Sequence, residues 1–223
     1  MENSKVLLDK AISIINEASV PKRIYSVGGG TVLSFFYNHR VSKDIDIFIN
    51  DPQFLSSISP RLNNNAEEAL DYDENNNFIS LTFPKGKIDF IVSPSVTKFN
   101  PIQENFLGFD ISVDDPVEIV CKKMFFRGEK ALPRDIFDLA VILESNRRND
   151  LLLELSKMPE KVGSFFSMNK KLPTKELYSL KNADMLLPDG RKFQGKELKI
   201  CQQAILSMLK QHSIKPSRSS FTR

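Results

Sequence analysis

Apolar residues recur along the chain with two different periods, and the period changes near its middle. At residues 5–18 they recur at helical spacing, which predicts a first helix, and residues 31–38 predict a second. Short apolar runs bounded by turn residues instead predict strands. These strands are expected at 24–27, 44–49, 78–83, 87–92 and 106–113.

From Asp115 onward the pattern is helical. Pro116 and Pro133 stand where a proline fits the first turn of a helix. Helices are predicted at 117–126, 134–144, 151–157 and 197–211. A strand-rich half followed by a helical half predicts an α+β fold, in which a mixed sheet flanked by helices precedes a helical C-terminal region. The expected divisions are a catalytic domain at 1–114, a helical domain at 115–212 and a flexible basic tail at 213–223.

Residues 44–49 alternate between apolar and acidic side chains. Ile45, Ile47 and Ile49 share one face of the predicted strand, and Asp44 and Asp46 share the other. Carboxylates two residues apart are separated by roughly 6.5 Å of backbone. Their side chains can converge on two cations about 3.5–4 Å apart, as in two-metal phosphoryl transfer. Two Mg²⁺ ions suit such oxygen ligands, with Mn²⁺ as a second possibility.

A hairpin further along the chain supplies a third carboxylate. The strands at 78–83 and 87–92 flank Pro84-Lys85-Gly86, which has the composition of a turn. Asp89 leaves the second strand on its non-core face, so beside the 44–49 strand it would serve as metal ligand and proton acceptor. The polar, Asn-rich stretch at 60–77 predicts only a short helix flanked by loops.

Ahead of the two aspartates stands a glycine run, Gly28-Gly29-Gly30-Thr31. Glycines let a backbone approach an anion closely, and amides at a helix N-terminus bind phosphate oxygens. Alone, a glycine run most often marks a turn, and a D-x-D or a single aspartate most often lies on a surface. Three carboxylates on one sheet face repel one another unless a cation neutralises them, so the combination favours a metal site.

The segment from Gly28 to Ile49 resembles the first motif of the AbiEii/AbiGii toxin family, within the DNA polymerase β-like nucleotidyltransferase superfamily. The family pattern has a GGT-x-L helix start followed by R-x-S-x-D-[IL]-D. It is met here by Gly29, Gly30, Thr31, Arg40, Ser42, Asp44 and Asp46. The resemblance implies a nucleotidyltransferase-type sheet, with Gly29, Gly30, Thr31, Arg40 and Ser42 binding the nucleotide.

A second family motif has a helical lysine, a nearby arginine and then R-D-x-x-D-L. It is similar to residues 118–127 and 134–139 of this chain. Either Lys122 or Lys123 is the motif lysine, and Lys123 is favoured because it lies one turn before Arg127 on the same helix face. Lys123 and Arg127 would hold the phosphates, and Arg134 would join them. Asp135 and Asp138 would orient these cations, or the whole set would only lock two helices together.

The resemblance covers about residues 24–143 and implies use of an NTP and a divalent metal. It also implies a toxin with a cognate antitoxin, and an acceptor such as tRNA or another RNA. The predicted reaction moves an NMP from the NTP to an acceptor hydroxyl, on RNA or on protein. Two alternatives stay open: a kinase with the same metal site, or a fold that has lost catalysis and binds RNA or protein.

Composition narrows the class of protein further. The chain is 41% hydrophobic and 26% charged, as in ordinary globular proteins. No apolar run is long enough to span a bilayer and the N-terminus lacks a signal-peptide pattern, so a cytoplasmic protein without membrane contact is expected. Two cysteines make no disulfide framework.

The net charge of +3 is unevenly distributed along the chain. Residues 1–146 carry 15 Lys and Arg against 21 Asp and Glu, and residues 147–223 carry 16 against 7. The first part is therefore acidic, as a cation-binding half would be. The second is basic, which permits contact with a polyanion.

Overall fold

The computed structural model describes residues 2–130, 132–171, 199–204 and 207. The chain divides between Asp115 and Pro116 into two compact units, one residue beyond the boundary expected from the sequence. The predicted tail at 213–223 and most of the predicted helix at 197–211 lie outside the described residues, although 199–204 and 207 are helical.

The first unit is built on one seven-stranded mixed sheet. Its strands follow the spatial order β3-β4-β5-β2-β1-β7-β6. The parallel pairs are β1 with β7 and β2 with β5, and the other neighbours are antiparallel. The strands are β1 (Tyr25–Gly28), β2 (Ile45–Ile49), β3 (Asp71–Glu74), β4 (Phe78–Phe83), β5 (Gly86–Val92), β6 (Ile102–Phe106) and β7 (Phe109–Val113).

Helices of the first unit connect and cover these strands. The apolar stripe of the first helix, which includes Leu7, Ala11 and Ile14, is buried, and this helix packs on β2 and β5. The second helix leads directly from β1 and packs on β1 and β2. The helices are α1 (Glu2–Glu17), α2 (Gly29–Tyr37), α3 (Leu55–Ile58) and α4 (Asn64–Glu67), with 3-10 turns at Lys22–Ile24 and Pro52–Phe54.

The second unit is helical in its described part. Its helices are α5 (Pro116–Arg127), α6 (Pro133–Leu143), α7 (Arg148–Ser156) and α8 (Pro159–Lys171), with a 3-10 turn at Gly128–Lys130. Pro116 and Pro133 begin α5 and α6, as predicted. Within the described ranges, no helix is long and apolar enough to cross a membrane.

The α+β prediction is confirmed, but several elements differ from the predicted ones. Residues 106–113 form no single strand: Leu107 and Gly108 both have positive φ angles and turn the chain between β6 and β7. The segment expected to be a short helix with loops also contains β3, which pairs with β4. Helix α8 was not predicted, because its Lys, Asn and Ser residues interrupt the periodic pattern of apolar residues in the sequence.

Candidate active site

The sheet register brings two of the three predicted carboxylates side by side. Asp46 in β2 pairs with Asp89 in β5, and Gly28 in β1 is its neighbour on the other side. Ser80 in β4 pairs with Asp89. Side chains of directly opposed residues point to the same face of a sheet, so Ser80, Asp89 and Asp46 form one polar row that ends at Gly28.

Asp44 lies just before β2 and is held differently. Its Oδ1 accepts a hydrogen bond from the Lys87 backbone N–H at 3.0 Å, at the start of the neighbouring strand. Ser80 donates its hydroxyl hydrogen to Asp89 Oδ1 at 2.5 Å. Within the described ranges, no three acidic, histidine or cysteine side chains are gathered closely enough to hold a metal ion by themselves. The pair Asp46 and Asp89 is therefore the centre of the site, with Asp44 beside it.

Each residue of the glycine run leaves space for a different side chain. A Cβ on Gly29, which has φ +71°, would collide with the Asp46 carboxylate. A Cβ on Gly30 would collide with the Arg40 guanidinium. At Gly28 it would meet the Phe48 ring at 2.5 Å. The absence of side chains at these glycines therefore allows Phe48, Asp46 and Arg40 to pack against the run. This role adds to the close approach of an anion that the sequence suggested.

Thr31 and Ser42 join α2 to the chain segment that precedes Asp44. The Thr31 hydroxyl lies 2.5 Å from the Asp44 carbonyl oxygen, to which it donates, and 3.0 Å from the Ser42 hydroxyl. Arg40 is buried, donates to the Val41 carbonyl at 3.3 Å, and has its own carbonyl bound by the Ser34 hydroxyl. These bonds position the segment that carries Asp44.

Three polar residues in or beside this row were not predicted from the sequence. Asp114 follows β7, is 1% exposed, and accepts the Ser26 hydroxyl hydrogen at 2.5 Å. Its other oxygen would lie 3.0 Å from a Cβ on Gly28. Ser80 is the third, and it could have been predicted from the sequence. In a hairpin that turns at Pro84 and Lys85, Ser80 lies opposite Asp89.

In the second unit, four residues of the second motif form an ion cluster that is mostly buried: Lys123, Arg127, Asp135 and Asp138. Lys123 Nζ lies 2.8 Å from Asp138 Oδ2 and 3.3 Å from Asp135 Oδ1. Arg127 Nη2 lies 2.7 Å from Asp135 Oδ1. Asp135 and Asp138 are at most 1% exposed. Lys122 instead pairs with Glu118 at 3.6 Å, so Lys123 is the lysine that joins the two helices.

Replacing Gly29 with Ala is expected to disrupt the site. The new methyl group must displace the Asp46 carboxylate, and the alanine backbone must adopt a positive φ. These two effects together should lower the free energy of unfolding by roughly 2 kcal/mol. Urea unfolding and nucleotide transfer would both be measured. Gly108→Ala is the matched control, because its φ is also positive but its nearest neighbour is the flexible Lys5 side chain at 3.4 Å. Unchanged activity in Gly29→Ala would contradict the packing described here.

Comparison with known proteins agrees with this architecture. No curated protein sequence matches the chain. Among solved structures, MenT4, a nucleotidyltransferase toxin from Mycobacterium tuberculosis H37Rv, is similar at 13% identity and a TM-score of 0.52, over 96% of this chain and 87% of that chain. JHP933 from Helicobacter pylori is similar at 14% identity and a TM-score of 0.50, over 96% and 94%. At such identities these similarities establish a shared fold.

The family assignment comes from the sequence itself. Residues 23–197 match the model described as nucleotidyl transferase AbiEii toxin, type IV toxin–antitoxin system. The match contains the glycine run, all three candidate carboxylates and the Lys123 cluster. The chain therefore belongs to the AbiEii family of nucleotidyltransferase toxins.

Proposed function

We propose that this transferase uses Mg²⁺ to move a nucleoside monophosphate from an NTP to an acceptor hydroxyl, with release of pyrophosphate. The observation that supports it is the pairing of Asp46 with Asp89 next to Gly28. Two adjacent carboxylates on one sheet face repel each other, and a bound cation is the simplest compensation.

The donor set fits a hard divalent cation. Only carboxylate oxygens are offered by Asp44, Asp46 and Asp89, and Mg²⁺ prefers one or two carboxylates together with substrate phosphates and water. A site completed by substrate is consistent with the absence of three converging ligands in the described residues. When bound, the metal would offset the charge that develops on the phosphoryl oxygens. Mn²⁺ has the same ligand preference.

The triphosphate is proposed to bind at the start of α2. Its first turn carries no acidic side chain of its own, and the amides that follow Gly28 lie at the positive end of the helix dipole. Gly29 and Gly30 allow close approach of the phosphates. Thr31, Arg40 and Ser42 are proposed to hold the phosphate-binding segment in place, since the hydroxyls of Thr31 and Ser42 are hydrogen bonded within the protein.

The acceptor hydroxyl must lose a proton as it attacks the α-phosphorus. Asp89 is proposed to accept it, because the hydrogen bond from Ser80 fixes one of its oxygens and thereby orients the other. Lys123 and Arg127 are proposed to offset phosphate charge, with Arg134 in support, and Asp135 and Asp138 hold the first two in position.

Two kinds of macromolecular partner are proposed, an antitoxin and an acceptor of the nucleotide. An antitoxin is expected from the toxin–antitoxin family. The acceptor is proposed to be tRNA, another RNA or a protein, and a cytoplasmic location would give access to each of them.

Transfer of label distinguishes this reaction from the kinase alternative. The full-length chain would be incubated with Mg²⁺, total RNA and cell protein, and with ATP, GTP, CTP or UTP labelled at either the α- or γ-phosphate. We expect label from the α-position to appear in a macromolecular product, and none from the γ-position. Label only from the γ-position would identify a kinase. Absence of both transfer and Mg²⁺-dependent NTP binding would favour the binding-module alternative.

A further inference from the structure

The segment from residue 60 to residue 77 carries none of the candidate site residues, although Asp73 pairs with Ser80 and so continues the polar row at the edge of the sheet. It carries five Asp and Glu residues and one Arg. It contains β3, which forms one edge of the seven-stranded sheet. Edge strands present backbone N–H and C=O groups with which another extended chain can pair. In the unbound chain the Tyr72 N–H donates to Asp71 Oδ1 at 2.9 Å, and pairing with another strand at this position would replace that local bond.

Large apolar side chains are exposed along the same segment. Leu62 is 73% exposed, Leu70 is 71% and Tyr72 is 41%. They are three of the eight large apolar side chains that are exposed among the described residues. Such a concentration in one short segment is typical of an interaction surface, because scattered single residues are the norm elsewhere.

The segment is held in a fixed shape by ion pairs and caps. Glu74 accepts the Ser59 hydroxyl hydrogen at 2.7 Å and pairs with Arg61 at 2.6 Å. Glu17 of α1 accepts the backbone N–H groups of Asn65 and Asn64, each at 2.9 Å, and these bonds lower the pKa of Glu17 to about 2. The surface is therefore preformed, and a partner need not order it.

A groove continues the surface beyond the end of β3. It has a volume of about 600 Å³ and lies between the β3–β4 turn and the residues around α3. Leu55 and Ile79 line it with Pro52, and Leu62 and Glu74 are also part of its wall. It is large enough to take one or two side chains of an extended segment.

The negative charge of this edge favours a positively charged partner. Arg61 is already paired with Glu74, so Glu67, Asp71 and Asp73 leave the surface negative. A nucleic acid would be repelled. Pairing of β3 with β3 of a second copy would bring Asp71 and Asp73 near their counterparts, which opposes self-association.

We propose that β3 and the adjoining groove form a docking edge for a basic, extended segment of a partner protein. The partner's backbone pairs with β3, its cations face Asp71 and Asp73, and an apolar side chain enters the groove. The docking edge contains none of the proposed metal ligands, and binding of the partner segment does not require a bound metal.

The test uses a fluorescent peptide of alternating lysine and valine and the full-length chain. We expect saturable binding by anisotropy, with slower amide hydrogen exchange at β3. A peptide of the same charge built from lysine, glycine and serine, and a lysine–valine peptide N-methylated at alternate amides, should each bind at least about tenfold more weakly. Equal binding of either would overturn strand pairing.

Variants locate the bound peptide. Asp71→Lys with Asp73→Lys should weaken binding by at least about tenfold. Glu104→Lys, on the opposite edge strand β6, should leave it unchanged. Asp46→Asn should also bind normally, which separates this proposal from the catalytic one. If the β6 variant weakens binding as much as the β3 variant, or if no peptide binds, the docking edge is refuted.

Discussion

Replacing Asp46 with Asn is expected to reduce nucleotide transfer by on the order of a thousandfold, which corresponds to about 4 kcal/mol of transition-state stabilisation. Asn keeps the shape of the side chain beside Gly29 but removes the charge that a cation requires. Transfer of α-labelled nucleotide, measured at saturating NTP and Mg²⁺, reports the loss. Thermal unfolding should change little, and removal of like-charge repulsion with Asp89 would raise rather than lower stability.

The matched control is Asp9→Asn, the same chemical change on the exposed face of α1. It should keep full activity. A second check is calorimetry, in which Mg²⁺-dependent NTP binding should weaken for Asp46→Asn and stay unchanged for Asp9→Asn. Equal transfer by Asp46→Asn and the unaltered chain would remove Asp46 from the chemistry and with it the proposed metal site.

The sheet face on which Asp46 and Asp89 lie was predictable because it depends on strand alternation. Ile45, Ile47 and Ile49 fix which face of β2 is buried, and Asp46 must then face the other way. The hairpin around Pro84-Lys85-Gly86 fixes the orientation of Asp89 in the same manner. The sequence left open whether β5 lies beside β2, and the observed register shows that it does.

What the sequence did not reveal depends on contacts between distant residues. Strand β3 consists of Asp, Tyr, Asp and Glu, which mostly disfavour strands, and pairing with β4 overrides that preference. The turn between β6 and β7 uses Leu107 with φ 54°, a conformation that leucine rarely adopts. The bond from Thr31 to the Asp44 carbonyl depends on the path of the loop between them, which no periodic pattern encodes.

The Lys123 cluster is the second place where a single substitution should have a large effect. Lys123→Met removes the cation that lies between two almost fully buried carboxylates. Arg127 still pairs with Asp135, but Asp138 loses its ion pair with Lys123. We expect the free energy of unfolding, measured in urea, to fall by about 3 kcal/mol, which is typical of a broken buried pair. Activity should fall as well, whether Lys123 binds phosphate or only joins the helices.

A double substitution separates these two roles of Lys123. Lys123→Met combined with Asp138→Leu replaces the buried pair with apolar side chains of similar volume, which often restores stability. If Lys123 offsets phosphate charge, the double variant regains stability while α-label transfer stays low. The single variant Asp138→Leu, which keeps the lysine but removes its partner, should retain more activity than either variant lacking Lys123. Recovery of activity together with stability in the double variant would show that Lys123 only connects α5 to α6, and its proposed role with the phosphates would be withdrawn.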